Sequence, residues 1–131
     1  MQLDLILDFP VSVNAMYKTI IRGKFTQRAH SKRYREYRAL TIPVVKRAIR
    51  EQAWKKAPET VALTLHVTEY CPDRRRRDID NVIKPIMDIL TEAGVYDDDS
   101  QIKRLEVSKI NADDQDDKSL RGKVKVLIKA L

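Results

Sequence analysis

The stretch "CPDRRRRDIDNVIKPIMDIL", residues 71–90, sets four consecutive arginines, Arg74 to Arg77, directly against two aspartates one residue apart, Asp78 and Asp80. It then continues with Val82, Ile83, Ile86, Ile89 and Leu90 at helical spacing. That spacing predicts a helix over 82–93, stopped by Gly94. Pro85 fits only the first turn, which favours a start later than Val82. A solvated loop has no need of this order of charge, acid and helix. A site that grips a polyanion and then acts on it does.

Outward from the helix, both flanks read as strands. "VALTLHVTEY" alternates Val61, Leu63, Leu65 and Val67, and "LDLILDF" alternates Leu3, Leu5, Leu7 and Phe9, each predicting a half-buried strand. "IKRLEVSKI" and "KVKVLIK" predict two more, the last with Val124, Val126 and Ile128 on one face. Residues 31–56 predict a second helix with Ser31 as N-cap, kinked or split at Pro43. Tyr34, Tyr37, Leu40, Val44, Val45, Ala48 and Ile49 are its expected inner face. "PVSVNAMYKTIIRGKFTQRAH" is expected to be loop or irregular strand, and "NADDQDDKSLRG" a polar turn. The sum is one α+β domain over residues 1–131, a mixed sheet of four or five strands with two main helices.

The chain has 131 residues, 43% of them hydrophobic and 34% charged, with a net charge of +7, so it can bury a modest core and favours an anionic partner. Ser31 to Lys56 carries nine Lys/Arg against two Glu, a local balance equal to the whole chain's +7. The preceding segment adds Lys18, Arg22, Lys24 and Arg28, with Tyr17, Phe25 and Tyr34 interleaved. Basic side chains contact phosphates and aromatics stack on bases, so nucleic acid is the expected partner rather than a membrane surface. Asp4 and Asp8 inside the first apolar run argue against a signal peptide, and no apolar run is long enough for a membrane span. The single Cys71 fits a reducing cytoplasm, with any association with the nucleoid made through DNA.

One Cys and two His argue against a Cys/His zinc site, so a metal site here would be built from carboxylates, which suits Mg²⁺ or Mn²⁺. Asp78 and Asp80 project to one side of an extended chain. A bland reading remains open: Asp80 or Asn81 caps the helix, and Asp78 pairs with an arginine. A second acidic group, Asp97 to Asp99, lies beyond Gly94. A twelve-residue helix carries the chain about 18 Å and the following segment returns about 16 Å at most, so the two groups nearly rejoin within one subunit or meet across a dimer. Carboxylates so gathered repel, and a divalent cation removes the conflict. Lys84 lies one helical turn beyond Asp80, able to stabilise charge there or to sit exposed. Nucleophile-elbow glycines, a phosphate-cradling glycine loop and a calcium-binding loop are all absent.

"PDRRRRDIDNVIKPIMDILTEAGVYDDDSQI" resembles the core signature of the RusA-type Holliday junction resolvases, small endodeoxyribonucleases often carried by phages and prophages. "FPVSVNAMYK", Phe9 to Lys18, resembles that family's Pro-x-Ser-x-Asn-x-x-Tyr segment after the first strand. The resemblance implies a homodimeric, Mg²⁺-dependent nuclease, with Mn²⁺ as a substitute, that cuts four-way DNA junctions by paired symmetric nicks in recombination and repair. It places the metal-binding aspartates on Asp78, Asp80 and Asp99 and the essential lysine on Lys84. Asp99 is preferred within "DDD" because it directly precedes Ser-Gln-Ile; Asp97 and Pro85 depart from the pattern. DNA contacts are expected from Arg74, Arg75, Arg76, Arg77, Lys32, Arg33, Arg35, Asn14 and Tyr17. The competing expectations are a non-catalytic basic nucleic-acid-binding module and a basic face that docks an acidic protein.

Overall fold

The structure is a computed structural model describing residues Met1–Leu131. Its main sheet holds β1 (Gln2–Asp8), β4 (Leu63–Tyr70), β5 (Ile102–Ile110) and β6 (Lys123–Ala130) in the order β1-β6-β4-β5. β6 runs antiparallel to both β1 and β4, while β4 and β5 are parallel, so the sheet is mixed. A parallel pair needs a crossover, and α2 (Ile83–Ala93) supplies it between β4 and β5. With α1 (Lys32–Glu51), α2 covers one face of the sheet. The α+β class and the mixed four-stranded sheet with two helices are as the sequence predicts.

The alternating positions do what their period demands. Leu3, Leu5, Leu7, Leu63, Leu65, Val67, Val124, Val126 and Ile128 all face inward and are buried. They join Val82, Ile83, Ile86, Ile89 and Leu90 of the α2 segment in one cluster of 22 buried residues. Phe9, just past β1, packs half-buried against it. α2 ends as predicted on Gly94, whose left-handed φ of 88° lets its N–H close the last turn.

Three expectations are corrected. Residues 17–30 form a regular hairpin, β2 (Tyr17–Arg22) and β3 (Phe25–His30), rather than loop or irregular strand. Gly23 supplies a φ of +60° at the first position of its two-residue turn, the conformation glycine favours there. α1 is one uninterrupted helix of 20 residues that ends at Glu51, short of the expected 56, with Pro43 inside it. Ala39, whose carbonyl loses its donor to the proline, is exposed, so solvent has access on that side of the helix. The inner stripe of α1 is Tyr34, Tyr37, Thr41 and Val45, while Leu40 and Val44 are exposed. Tyr37 fixes that choice by donating its hydroxyl to the Asp8 carbonyl at 2.7 Å. The expected N-cap is present: Ser31 Oγ accepts from the Tyr34 N–H at 3.2 Å.

Candidate active site

The arginine run leaves β4 at Cys71 and is organised by one acid that sequence reasoning passed over. Asp73 accepts from Arg77 at 2.7 Å and from both the backbone N–H, at 2.9 Å, and the side chain of Arg75. The Arg77 hydrogen bond above all, with those from Arg75, holds the Asp73 carboxyl far below the usual range. Arg77 also lies over the Phe9 ring, 5.5 Å from its centroid. Arg74 turns away and pairs with Asp113 at 3.0 Å. Arg76 has no acidic partner.

Asp78 and Asp80, by contrast, are exposed and make no side-chain hydrogen bond or ion pair. Neither bland role is filled by them. The N-cap of α2 is Val82, with no side-chain cap, so neither Asp80 nor Asn81 caps the helix. Three of the arginines that Asp78 was expected to pair with are taken by Asp73 and Asp113, and the fourth, Arg76, does not pair with it either.

Lys84 projects from the first turn of α2. Its Nζ donates to Asp88 at 2.8 Å and lies 3.8 Å from Asp99. The Asp88 bond chiefly, with Asp99 adding, holds the ammonium more strongly protonated than usual. A cavity of about 320 Å³ is lined by Lys84, Asp88, Thr91, Glu92, Asp98 and Asp99. The chain therefore folds back within one subunit to bring Asp99 to Lys84. The three acids of "DDD" have separate jobs. Asp97 pairs with Lys56 at 2.9 Å, and Asp98 caps the following 3₁₀ turn by accepting from the Ser100 N–H at 3.0 Å. Buried Gln101 anchors this loop. Its Oε1 accepts from the N–H groups of Asp97 and Asp98 at 2.9 Å each, and its Nε2 donates to the Pro58 and Val61 carbonyls.

Among the expected DNA contacts, Arg33 from α1 and Arg75, Arg76 and Arg77 line one cavity of about 500 Å³ with Ser12 and Asn81. Asn14 is exposed on a 3₁₀ turn, Val13–Ala15, docked where the Val13 N–H donates to the Asn81 carbonyl at 2.7 Å. Tyr17 sits under Arg28, 4.3 Å from ring centroid to guanidinium, and packs on His30. Lys32 is exposed and 3.9 Å from Glu36. Arg35 lies apart from the arginine run, in a groove with Arg38 and Pro43.

Two further residues went unnoticed in the sequence. Glu69 is fully buried, and both its carboxylate oxygens lack a partner. The alternation Leu63, Leu65, Val67 points straight to it as the next inward position. Lys109, beside it on β5, donates to the Arg77 carbonyl at 2.6 Å and so pins the backbone just before Asp78.

No three ligand-type side chains converge on one point as they stand. The donor chemistry is nonetheless of one kind. His30 packs between Tyr17 and Tyr34, tilted on the first and edge-on to the second, and His66 pairs with Glu106 at 3.0 Å. Burial raises the Cys71 thiol, so it stays protonated. What remains open at Asp78 and Asp80 is carboxylate oxygen, the donor type of a hard divalent cation, and the orphaned Glu69 oxygens belong to the residue opposite Lys109, which holds the Arg77 carbonyl.

The family model for endodeoxyribonuclease RusA matches residues 8–129. The crossover junction endodeoxyribonuclease RusA of Escherichia coli strain K12 is 33% identical over 104 residues, 79% of either chain. That of Enterobacteria phage HK97 is 29% identical over 102 residues, 78% of either chain. The protein of Enterobacteria phage 82 is 49% identical over 41 residues, 31% of this chain and 34% of its own. A match running from the end of β1 to the end of β6 takes in the arginine run, both acidic groups and Lys84, and with it the chain belongs to the RusA family of endodeoxyribonucleases.

Proposed function

We propose that this protein is a structure-selective endodeoxyribonuclease that resolves four-way DNA junctions by paired symmetric nicks. The observation that carries the reading is the pair Asp78 and Asp80, left without partners directly after four arginines. Asp78, Asp80 and Asp99 hold a divalent cation, Mg²⁺ or Mn²⁺, through carboxylate oxygens. When bound, the cation activates water and neutralises charge on the scissile phosphodiester.

The chain's own residues do the rest. Lys84 keeps its proton through Asp88 and Asp99, so it acts as a fixed positive charge toward the reacting phosphate rather than as a base. Arg33 and Arg76, both without acidic partners and lining the same cavity, bind neighbouring phosphates. Arg75 and Arg77, held by Asp73, shape that groove. Arg74, Lys32, Arg35, Asn14 and Tyr17 extend the contact surface. A homodimer supplies two such centres, one for each symmetric nick.

The test is cleavage of a synthetic four-way junction beside a linear duplex of matched sequence, with Mg²⁺ or with EDTA. Paired nicks in the junction alone, and only with metal, are expected. Equal cutting of the duplex would remove the junction selectivity from the reading.

A further inference from the structure

The face of the sheet that packs on the helices includes three cross-strand rows beyond Leu63. The first is Leu3, Ile128, Leu65 and Leu105, and the second Leu5, Val126, Val67 and Val107. The third is Leu7, Val124, Glu69 and Lys109. A carboxylate thus stands on a central strand where the pattern calls for another aliphatic side chain. It is 0% exposed, and neither oxygen has a hydrogen bond. An unpartnered buried carboxylate is among the costlier groups a fold can carry. The one cation in its row does not pair with it, because Lys109 donates instead to the Arg77 carbonyl at 2.6 Å. That bond draws the backbone entering Asp78 alongside the Glu69 row, and there the charge of Asp80 acts on the Glu69 carboxyl against that of Lys109. Two acids brought together, one of them buried without a partner, are the arrangement that a cation relieves.

We propose that Glu69 is a fourth carboxylate of the divalent-cation site, set near the end of β4 beside the backbone that enters Asp78. It rests on the reading of Asp78 and Asp80 as metal ligands. Carried on a central strand rather than on the loop, Glu69 gives the site a donor whose position the sheet holds fixed.

The test is direct binding of Mn²⁺ to the DNA-free protein, followed by the paramagnetic resonance of the free ion, with thermal unfolding in metal-free buffer alongside. Wild type, Glu69→Gln, Glu69→Leu and Asp80→Asn are compared. Glu69→Gln keeps the volume; Glu69→Leu completes the apolar row. Both are expected to weaken Mn²⁺ binding by about 10- to 100-fold. Glu69→Leu is expected to melt at or above the wild-type temperature without metal. A carboxylate kept only for packing would show the reverse, a lower melting temperature and unchanged Mn²⁺ affinity. Binding by both Glu69 variants within twofold of wild type, with Asp80→Asn impaired, would overturn the role of Glu69 alone. Failure of wild type to bind Mn²⁺ would overturn the metal reading of Asp78 and Asp80, and this inference with it.

Discussion

Asp73 and the pair Asp78 and Asp80 lie within eight residues on either side of the same arginine run, yet their surroundings are opposite. Asp73 is saturated, taking Arg77 at 2.7 Å and two donors from Arg75. Asp78 and Asp80 receive nothing, although the arginines adjoin them in sequence. The difference teaches that this loop satisfies its charges with a dedicated acid, which leaves the other two free. Asp97, Asp98 and Asp99 repeat the lesson. The first pairs with Lys56, the second caps a turn, and the third is turned toward Lys84. Asp73, Asp97 and Asp98 are held at hydrogen-bond distance, Asp99 only at 3.8 Å from Lys84, and Asp78 and Asp80 not at all.

The comparison can be broken at several points. The largest effect is expected at Lys84, which faces Asp99 across the site. Lys84→Met should lower junction cleavage by about 10²- to 10³-fold while binding of uncut junction in EDTA changes little. An equal loss of binding would make Lys84 a DNA contact and not part of the chemistry. Next comes Arg76, the arginine of the run without an acidic partner. Arg76→Glu should weaken junction binding about tenfold or more and lower the salt slope by roughly one for each phosphate it no longer neutralises. An unchanged slope would place Arg76 outside the DNA path. On the paired side, Asp73→Asn should loosen Arg75 and Arg77 and alter junction affinity only several-fold, with the cleavage rate at saturation kept. Solvent screens the ion pairs of Asp73, so the variant should unfold at nearly the wild-type denaturant concentration.

The smallest effect is a pH dependence. Burial, with Asp80 adding and Lys109 opposing, raises the Glu69 carboxyl from 4.5 to about 7 in the folded protein. Between those values the folded state holds a proton that the unfolded state has released. Stability from this group is therefore full at acid pH and is lost as pH rises toward 7. The slope is at most about 1.4 kcal/mol per pH unit. Chemical denaturation of metal-free protein across this range should show the decline, and Glu69→Gln should lack it. Identical slopes in the two proteins would mean that Glu69 does not carry the proton.

Strands and helix α2 were legible because their apolar residues repeat with one period and one choice of face. Leu3, Leu5 and Leu7, or Val124, Val126 and Ile128, admit a single reading. Helix α1 was harder because two stripes compete. Leu40 and Val44 extend one from Tyr37; Thr41 and Val45 extend the other. Composition favours the first, whereas the Tyr37 hydroxyl bond to Asp8, a contact 29 residues away, selects the second. The hairpin announced itself only through Gly23, its flanks being too polar to show a buried face. At the candidate site the identities of the acids could be read, but their partners could not. That Asp73 takes Arg75 and Arg77, and that Gln101 holds Asp97 and Asp98, are consequences of the folded loops. Glu69 stood in plain alternation with Leu63, Leu65 and Val67. It was overlooked because the strand "VALTLHVTEY" was given its inward face from apolar side chains alone, and a carboxylate in the same alternation carries no such signal.

The most direct measurement sets the open acid against the paired one on the same substrate: Asp80→Asn and Asp73→Asn, each assayed for Mg²⁺-dependent cutting of a four-way junction and for junction binding in EDTA. The account predicts that Asp80→Asn loses cleavage by more than about 10²-fold and binds as well as wild type or better, because a negative charge facing phosphate is gone. Asp73→Asn should cut at a near-normal rate once bound. Wild-type cutting by Asp80→Asn, or loss of the chemical step in Asp73→Asn alone, would contradict it, and the unpaired aspartates would then be solvated loop acids.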